Sequence, residues 1–417
     1  MWDPMCFDRT VSGRIRSVLT ILALAVMAAC SSAPAQQQPG RGVEVTSMGG
    51  GKYFPGESPY AAGVIPEARI HDAQRNRDVV MTIEYPTRGG PYPVIVFSHA
   101  YGSSKDAYVS LTEYWVGHGY ICIKPSHNDA GTVREPLTRP TGAQGEERGR
   151  REGRSARTSG VEVRNVPQQA APESLWQAQT PAEWQNRTRD ITLILDSIDQ
   201  LEQKYPELAG KIDRARIGVG GDSYGAFTTM LLSGMTSFKT TPQLHPADPR
   251  IRAALAVSPQ GVSDVFGLTP ESWRGVKTPM MFMTGSADRG LGENGDPKWR
   301  HDPFAYSPAG DKYFISFAGA RHSTFAGNGG VISDAEVMRN PRPQTDAWGN
   351  PVAMQAPSST GRGISGVQSS RRVLGSIQLT TIAFWDAYLK NDANALEYLK
   401  SDAFLSMNSG GTNVERK

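Results

Sequence analysis

Five residues, Gly221-Asp222-Ser223-Tyr224-Gly225, stand between an apolar run, Ile217-Gly218-Val219-Gly220, and a helix-like stretch, Ala226-Phe227-Thr228-Thr229-Met230-Leu231-Leu232. A strand, a sharp reversal and a helix in this order form the setting of a nucleophile elbow, in which the serine is lifted clear of the sheet. The reversal is so tight that a side chain two positions before or after the serine would strike the following helix or the preceding strand. Gly221 and Gly225 meet that need, and Ala226 is small as well. In a chain with 44 glycines the five-letter pattern can also arise as an ordinary turn, so its meaning depends on what the rest of the chain supplies.

Strands and helices alternate around this turn. Asp78–Tyr85 reads as an early strand, and Pro93-Val94-Ile95-Val96-Phe97-Ser98 is an unbroken apolar run of the kind buried on both faces of a sheet. A helix-like stretch from Ala107 to Val116 leads through Gly117-His118-Gly119 to a strand over Tyr120–Lys124, which makes one right-handed βαβ unit. Ile191, Ile194, Leu195, Ile198 and Leu201 recur at helical spacing between Glu183 and Tyr205, and that helix feeds the strand Arg216–Gly220. Beyond the elbow come strands over Ala253–Ser258, Met280–Met283 and Tyr313–Phe317, then an apolar helix over Val373–Leu389. The alternation predicts an α/β fold whose mostly parallel central sheet is covered by helices on both faces. Two polar, Pro/Gly-rich stretches, about 128–181 and 328–371, interrupt it as loop insertions. The expected organisation is a signal peptide over 1–29, a flexible tether over 30–50, a single domain over 51–400 and a C-terminal tail over 401–417.

A net charge of +3 carries no electrostatic bias toward nucleic acid or an anionic surface. The run Glu146–Arg154 interleaves glutamate with arginine, so it reads as a solvated insertion and no nucleic-acid partner is expected. Export is the stronger signal: Arg9, Arg14 and Arg16 precede the apolar run Val18–Met27, which is too short to span a bilayer, and Ala28-Ala29 lead to Cys30. Small residues directly before a cysteine resemble the lipobox of bacterial lipoproteins, which implies lipidation of Cys30 and a membrane anchor at the periplasmic face. Ala33-Pro34-Ala35 offers an ordinary cleavage site, and the alternative is a periplasmic or secreted protein. Cys6 and Cys30 belong to the leader and Cys122 to an apolar strand, so Cys122 reads as an inert buried thiol with no disulfide partner.

A serine hydroxyl is a weak nucleophile near neutral pH, so Ser223 needs a base, and the base needs an acid to orient it. On a sheet of this kind the chain order is nucleophile, acid, histidine. The strand Met280–Met283 runs out at Thr284-Gly285-Ser286-Ala287-Asp288, and the strand Tyr313–Phe317 at Ala318-Gly319-Ala320-Arg321-His322. Both ends fall at one edge of the sheet, which makes Asp288 the expected acid and His322 the expected base. Asp264 is the competing acid, His301 reads as a surface or pocket residue, and His71, His118 and His245 as ordinary polar residues. His127, past the strand ending at Lys124, is a candidate pocket residue at the same edge. Only Asp129 stands near it at metal-ligand spacing, so no metal is expected, and neither a phosphate-cradling loop nor a dinucleotide fingerprint points to a cofactor. Asp222 reads as support for the elbow. Attack on an ester carbonyl puts negative charge on its oxygen, and two backbone N–H groups are expected to meet it, one from Tyr224 and one from the loop after Ser98.

Ser98-His99-Ala100-Tyr101-Gly102, Gly117-His118-Gly119-Tyr120, Gly221–Gly225, Gly285-Ser286-Ala287-Asp288 and Ala320-Arg321-His322-Ser323, in this order, resemble α/β-hydrolases of the dienelactone-hydrolase-like and platelet-activating-factor-acetylhydrolase-like group. The likeness runs over about 78–325 and implies the α/β-hydrolase fold with Ser223 as nucleophile, Asp288 as acid, His322 as base and the backbone amides of Tyr101 and Tyr224 as the oxyanion site. Ala100, Asp222 and Ala226 depart from the group's usual glycine, histidine and glycine. A dienelactone hydrolase commonly carries a cysteine nucleophile, and the serine here implies esterase or lipase-like chemistry on a short-to-medium acyl ester or a lipid ester. A serine peptidase or amidase would use the same residues. A non-catalytic binding lipoprotein on a hydrolase scaffold would show loss of one of the three, and none is lost.

Overall fold

Runs such as Val94-Ile95-Val96-Phe97 have no polar face, so they fit only inside a sheet covered on both sides. A computed structural model describes residues 53, 55–131, 179–240, 247–289, 296–326, 344–345, 351–352, 365–406 and 412–417. The leader, Cys30, the tether and most of both insertions lie outside the described residues. Among the described residues the main sheet has nine strands: β1 (Ala62–Asp72), β2 (Arg77–Pro86), β3 (Tyr92–Ser98), β4 (Ile121–Ser126), β5 (Ile212–Asp222), β6 (Ile251–Val257), β7 (Met280–Gly285), β8 (Lys312–Phe317) and β9 (Asn413–Arg416). Their spatial order is β1-β2-β4-β3-β5-β6-β7-β8-β9. From β4 to β8 neighbours pair in parallel, and β1, β2 and β9 add antiparallel edges.

Alternate residues of β3 enter two separate cores. Val94 and Val96 pack toward a helix α2 (Pro181–Asp196) and a helix α3 (Tyr224–Leu232), through Trp184, Ile191, Ile194, Phe227 and Met230. Ile95 and Phe97 point the other way, toward α1 (Val109–Gly117) and α4 (Ser365–Leu389), through Leu111, Trp115, Phe384 and Trp385. Trp115 is fully buried, and its Nε1–H donates to Thr381 Oγ1 at 2.9 Å, which ties α1 to α4 without leaving a buried donor unpaired. The parallel sheet with helices on both faces is thus as the alternation predicts.

Three elements differ from the sequence reading. The helix expected between Glu183 and Tyr205 breaks at Ser197 into α2 and a shorter helix, Ile198–Lys204. Strand β1 has no counterpart in that reading because a register shift between Ile65 and Ala68, at Pro66-Glu67, interrupts its alternation and leaves only a short stretch, Ala68–Asp72, in period. Residues 401–417, expected as a tail, contain the helix Asp402–Leu405 and the edge strand β9, whose Val414 is buried and which pairs with β8.

Register aligns the carboxyl ends of the central strands. Ser98 lies opposite Gly221, Asp222 opposite Val257, and Gly285 opposite Phe317. That common edge carries the elbow, the loop after β3 and the segments holding Asp288 and His322.

Candidate active site

Strand β5 ends at Asp222 and α3 begins at Tyr224, so Ser223 alone makes the turn. Its backbone sits at φ 55° and ψ −111°, a region rarely adopted by residues with a side chain. Its N–H donates to Val257 O at 2.9 Å, which pins the turn to β6. A Cβ on Gly221 would stand 2.3 Å from the Gly225 carbonyl oxygen, and one on Gly225 only 1.9 Å from that of Ser98. The two glycines therefore allow the helix and the loop after β3 to close on the serine.

Asp288 lies past the end of β7 with its side chain fully buried and both oxygens occupied. Oδ2 accepts from Ser258 Oγ at 2.6 Å and Thr284 Oγ1 at 2.9 Å, and Oδ1 faces His322 Nδ1 at 3.0 Å and Arg300 Nε at 3.0 Å. Burial by itself would raise this carboxyl's pKa, but the hydrogen bond from His322 and the Arg300 charge outweigh it and hold the pKa below the usual carboxylate range. An ionised carboxylate takes a hydrogen from Nδ1, and this leaves Nε2 of the neutral ring with its lone pair, as a base requires. Arg300 is itself buried and donates to the carbonyls of Ser258 at 2.5 Å, Pro259 at 3.0 Å and Asp288 at 3.0 Å, with its other terminal nitrogen 3.3 Å from His322 Nδ1. Asp264, the competing acid, is exposed on the excursion after β6. His301 faces Glu415 at 3.1 Å, away from this group.

A second polar network lies under the loop Ser98–Gly102. Arg187 of α2 donates to the His99 carbonyl at 2.8 Å, to Ser98 Oγ at 3.2 Å and to both oxygens of Asp129, and it stacks on the Tyr224 ring at 4.1 Å. Asp129 Oδ2 in turn accepts the Gly102 N–H at 2.9 Å. Although its burial acts the other way, the Arg187 charge holds the Asp129 pKa down to about 2. Ser98 Oγ lies 2.9 Å from His127 Nε2, and His127 Nδ1 lies 2.8 Å from Asp190 Oδ2. Asp190 Oδ1 pairs with Arg75 at 2.7 Å and with Arg77. This Ser98–His127–Asp190 chain has the composition of a catalytic set, and every side chain in it is buried. His127, the candidate pocket residue, lies buried beneath the loop, between Ser98 and Asp190.

The structure thus brings Ser223, Asp288, His322, Tyr101 and Tyr224 to one edge and leaves His127 below it. Sequence reasoning misses Arg187, Asp190, Tyr108 and Arg300. For Arg187 and Asp190 a signal exists, since 187, 190, 191 and 194 share the buried stripe of α2, where a charge needs a buried partner. Arg300 sits in a short polar stretch with no periodicity to mark it.

Residues 73–246 match the family model described as platelet-activating factor acetylhydrolase, isoform II, a span that includes the loop after β3 and the elbow and stops before Asp288 and His322. No curated protein matches the chain.

Proposed function

We propose, from the premise that the chain belongs to the platelet-activating-factor-acetylhydrolase-like serine esterases of the α/β-hydrolase superfamily, that it hydrolyses a short-to-medium acyl ester or lipid ester through an acyl-enzyme on Ser223. One observation carries the mechanism: His322 Nδ1 meets the buried Asp288 carboxylate at 3.0 Å, at the edge where the elbow presents Ser223.

Ser223 Oγ bonds to the ester carbonyl carbon while Nε2 of His322 takes the hydroxyl proton, and the carbonyl electron pair moves onto oxygen. That oxyanion is received by the backbone N–H groups of Tyr101 and Tyr224, each such donor contributing about 3–4 kcal/mol to the barrier reduction. Among the described hydrogen bonds, Tyr108 Oη takes the Ala100 N–H and Asp129 takes that of Gly102, while none takes that of Tyr101, which supports its assignment. Collapse re-forms the carbonyl and expels the alcohol, which leaves with the proton from Nε2. Water then repeats the sequence on the acyl-enzyme, releasing the acid and restoring Ser223.

The test is a p-nitrophenyl ester series from acetate to palmitate, alongside a soluble polyester, with the purified mature protein. Activity is expected to peak between acetate and octanoate, and a peak at palmitate would overturn the short-to-medium assignment. The basic residues, apolar run and Ala28-Ala29-Cys30 also support export with lipidation at Cys30, making the enzyme a membrane-anchored periplasmic lipoprotein. Cys30→Ser is expected to move the protein from the membrane pellet to the soluble fraction. An unchanged distribution would sink the anchor.

A further inference from the structure

We infer that Tyr108 is a positioning residue whose hydroxyl straps the oxyanion loop to the elbow, a role that rests on the proposed use of the Tyr101 and Tyr224 amides. Tyr108 precedes α1 and adopts φ 63° and ψ 21°, in the left-handed region that a bulky aromatic enters only when its surroundings impose it. It makes no side-chain cap to the helix it precedes. Its ring is instead driven under the sheet edge, 1% exposed, against Phe97 at 4.9 Å between centroids.

The hydroxyl at the end of that ring has two partners. It accepts the Ala100 N–H at 3.1 Å and donates to Asp222 Oδ2 at 2.9 Å. Ala100 is the residue before Tyr101, and Asp222 the residue before Ser223. A single oxygen therefore joins the two chain segments whose amides must converge on one substrate oxygen.

The rest of the loop is held by other groups. Arg187 takes the His99 carbonyl and Asp129 the Gly102 N–H. The Ala100 carbonyl accepts from His99 Nδ1 at 2.6 Å and from the Ser103 N–H at 3.1 Å. Because a peptide carbonyl and the next N–H point in opposite directions, those two bonds turn the Tyr101 N–H toward the opposite side. The peptide plane before Ala100 is tied by Tyr108. With both planes fixed, the backbone of Ala100 has no remaining freedom, and the Tyr101 amide keeps its aim toward the elbow.

Asp222 bears the cost of this arrangement. Its side chain is fully buried, Oδ1 has no hydrogen-bond partner among the described residues, and burial pushes its pKa up to about 6. An apolar residue at this position would avoid that cost, and what the carboxylate provides is the acceptor for the Tyr108 hydroxyl. The bridge spans 114 residues of sequence from Tyr108 to Asp222.

Tyr108→Phe removes the hydroxyl and keeps the ring, so the core around Phe97 is retained. On a p-nitrophenyl short-chain ester it is expected to lower kcat about 10- to 100-fold with KM within about twofold, because an oxyanion donor acts on the transition state and not on the bound ester. Affinity for an alkyl trifluoromethyl ketone, whose adduct carries the oxyanion, should fall in proportion to kcat/KM. Asp222→Ala is expected to match Tyr108→Phe, and the double variant to be no slower than either single, since both cut one strap. Asp222→Asn, which keeps an acceptor, should recover several-fold over Asp222→Ala. A kcat for Tyr108→Phe within about twofold of wild type, or additive losses in the double variant, overturns the strap. Fluorophosphonate labelling separates the two levels: wild type and Tyr108→Phe labelled at Ser223 at equal rates removes the strap alone, and wild type unlabelled removes the serine-hydrolase mechanism with it.

Discussion

Replacing Ser223 by alanine is expected to lower kcat on a p-nitrophenyl short-chain ester by about 10⁴-fold or more. The change deletes one oxygen from a turn whose shape is set by other atoms: the two glycines, the bond from the residue's own N–H to Val257 O, and the close approach of Gly225 to Ser98. Alanine meets the φ of 55° no worse than serine does, so the fold should survive with a melting temperature within a few degrees of wild type. A residual rate above that of water is expected, because the oxyanion donors remain. Activity within about tenfold of wild type in a folded variant would show that Ser223 is not the nucleophile.

Asp288→Asn is expected to cost about 10³- to 10⁴-fold in kcat, chiefly through charge. Asn can place its oxygen toward His322 Nδ1 and its amide toward the hydroxyls of Ser258 and Thr284, which can turn to accept, so the imidazole tautomer can survive the change. What does not survive is the balance with Arg300, whose guanidinium reaches to 3.3 Å from His322 Nδ1. Proton transfer from Ser223 makes an imidazolium beside that cation, and a unit charge about 4 Å away at an effective dielectric of about 20 is worth about 4 kcal/mol, or about 10³ in rate. The same argument has Arg300→Gln restoring part of the loss when combined with Asp288→Asn. Steady-state kinetics of the two variants checks it. Asp288→Asn with more than a tenth of wild-type kcat would remove Asp288 from the acid's role, and an unrecovered double variant would assign the loss to orientation instead.

Much of the fold and of the site is legible in the order of the residues. The elbow is a steric statement about consecutive residues, and Gly221 and Gly225 make it locally. The strands over Pro93–Ser98, Met280–Met283 and Tyr313–Phe317 are apolar on both faces, so their carboxyl ends, and the residues just past them, can be placed by counting. Counting sets an edge but not a depth. His127 has the right edge and is buried beneath it, while His322 is half exposed above it. Strand β9 is illegible for another reason: with four residues and one buried apolar side chain, Val414, it is too short to show a period.

The order of the central strands and their helices, the serine turn, and the succession of Asp288 and His322 after it follow from the sequence alone, because each depends on neighbours within a few residues. The polar groups that support them are set only by contacts across the fold. Arg300 beside Asp288, Arg187 on the Ser98–Gly102 loop and Tyr108 between Ala100 and Asp222 reach partners 8 to 114 residues away. A buried polar group must find its complement in space, and the pattern along the chain carries no record of where that complement lies.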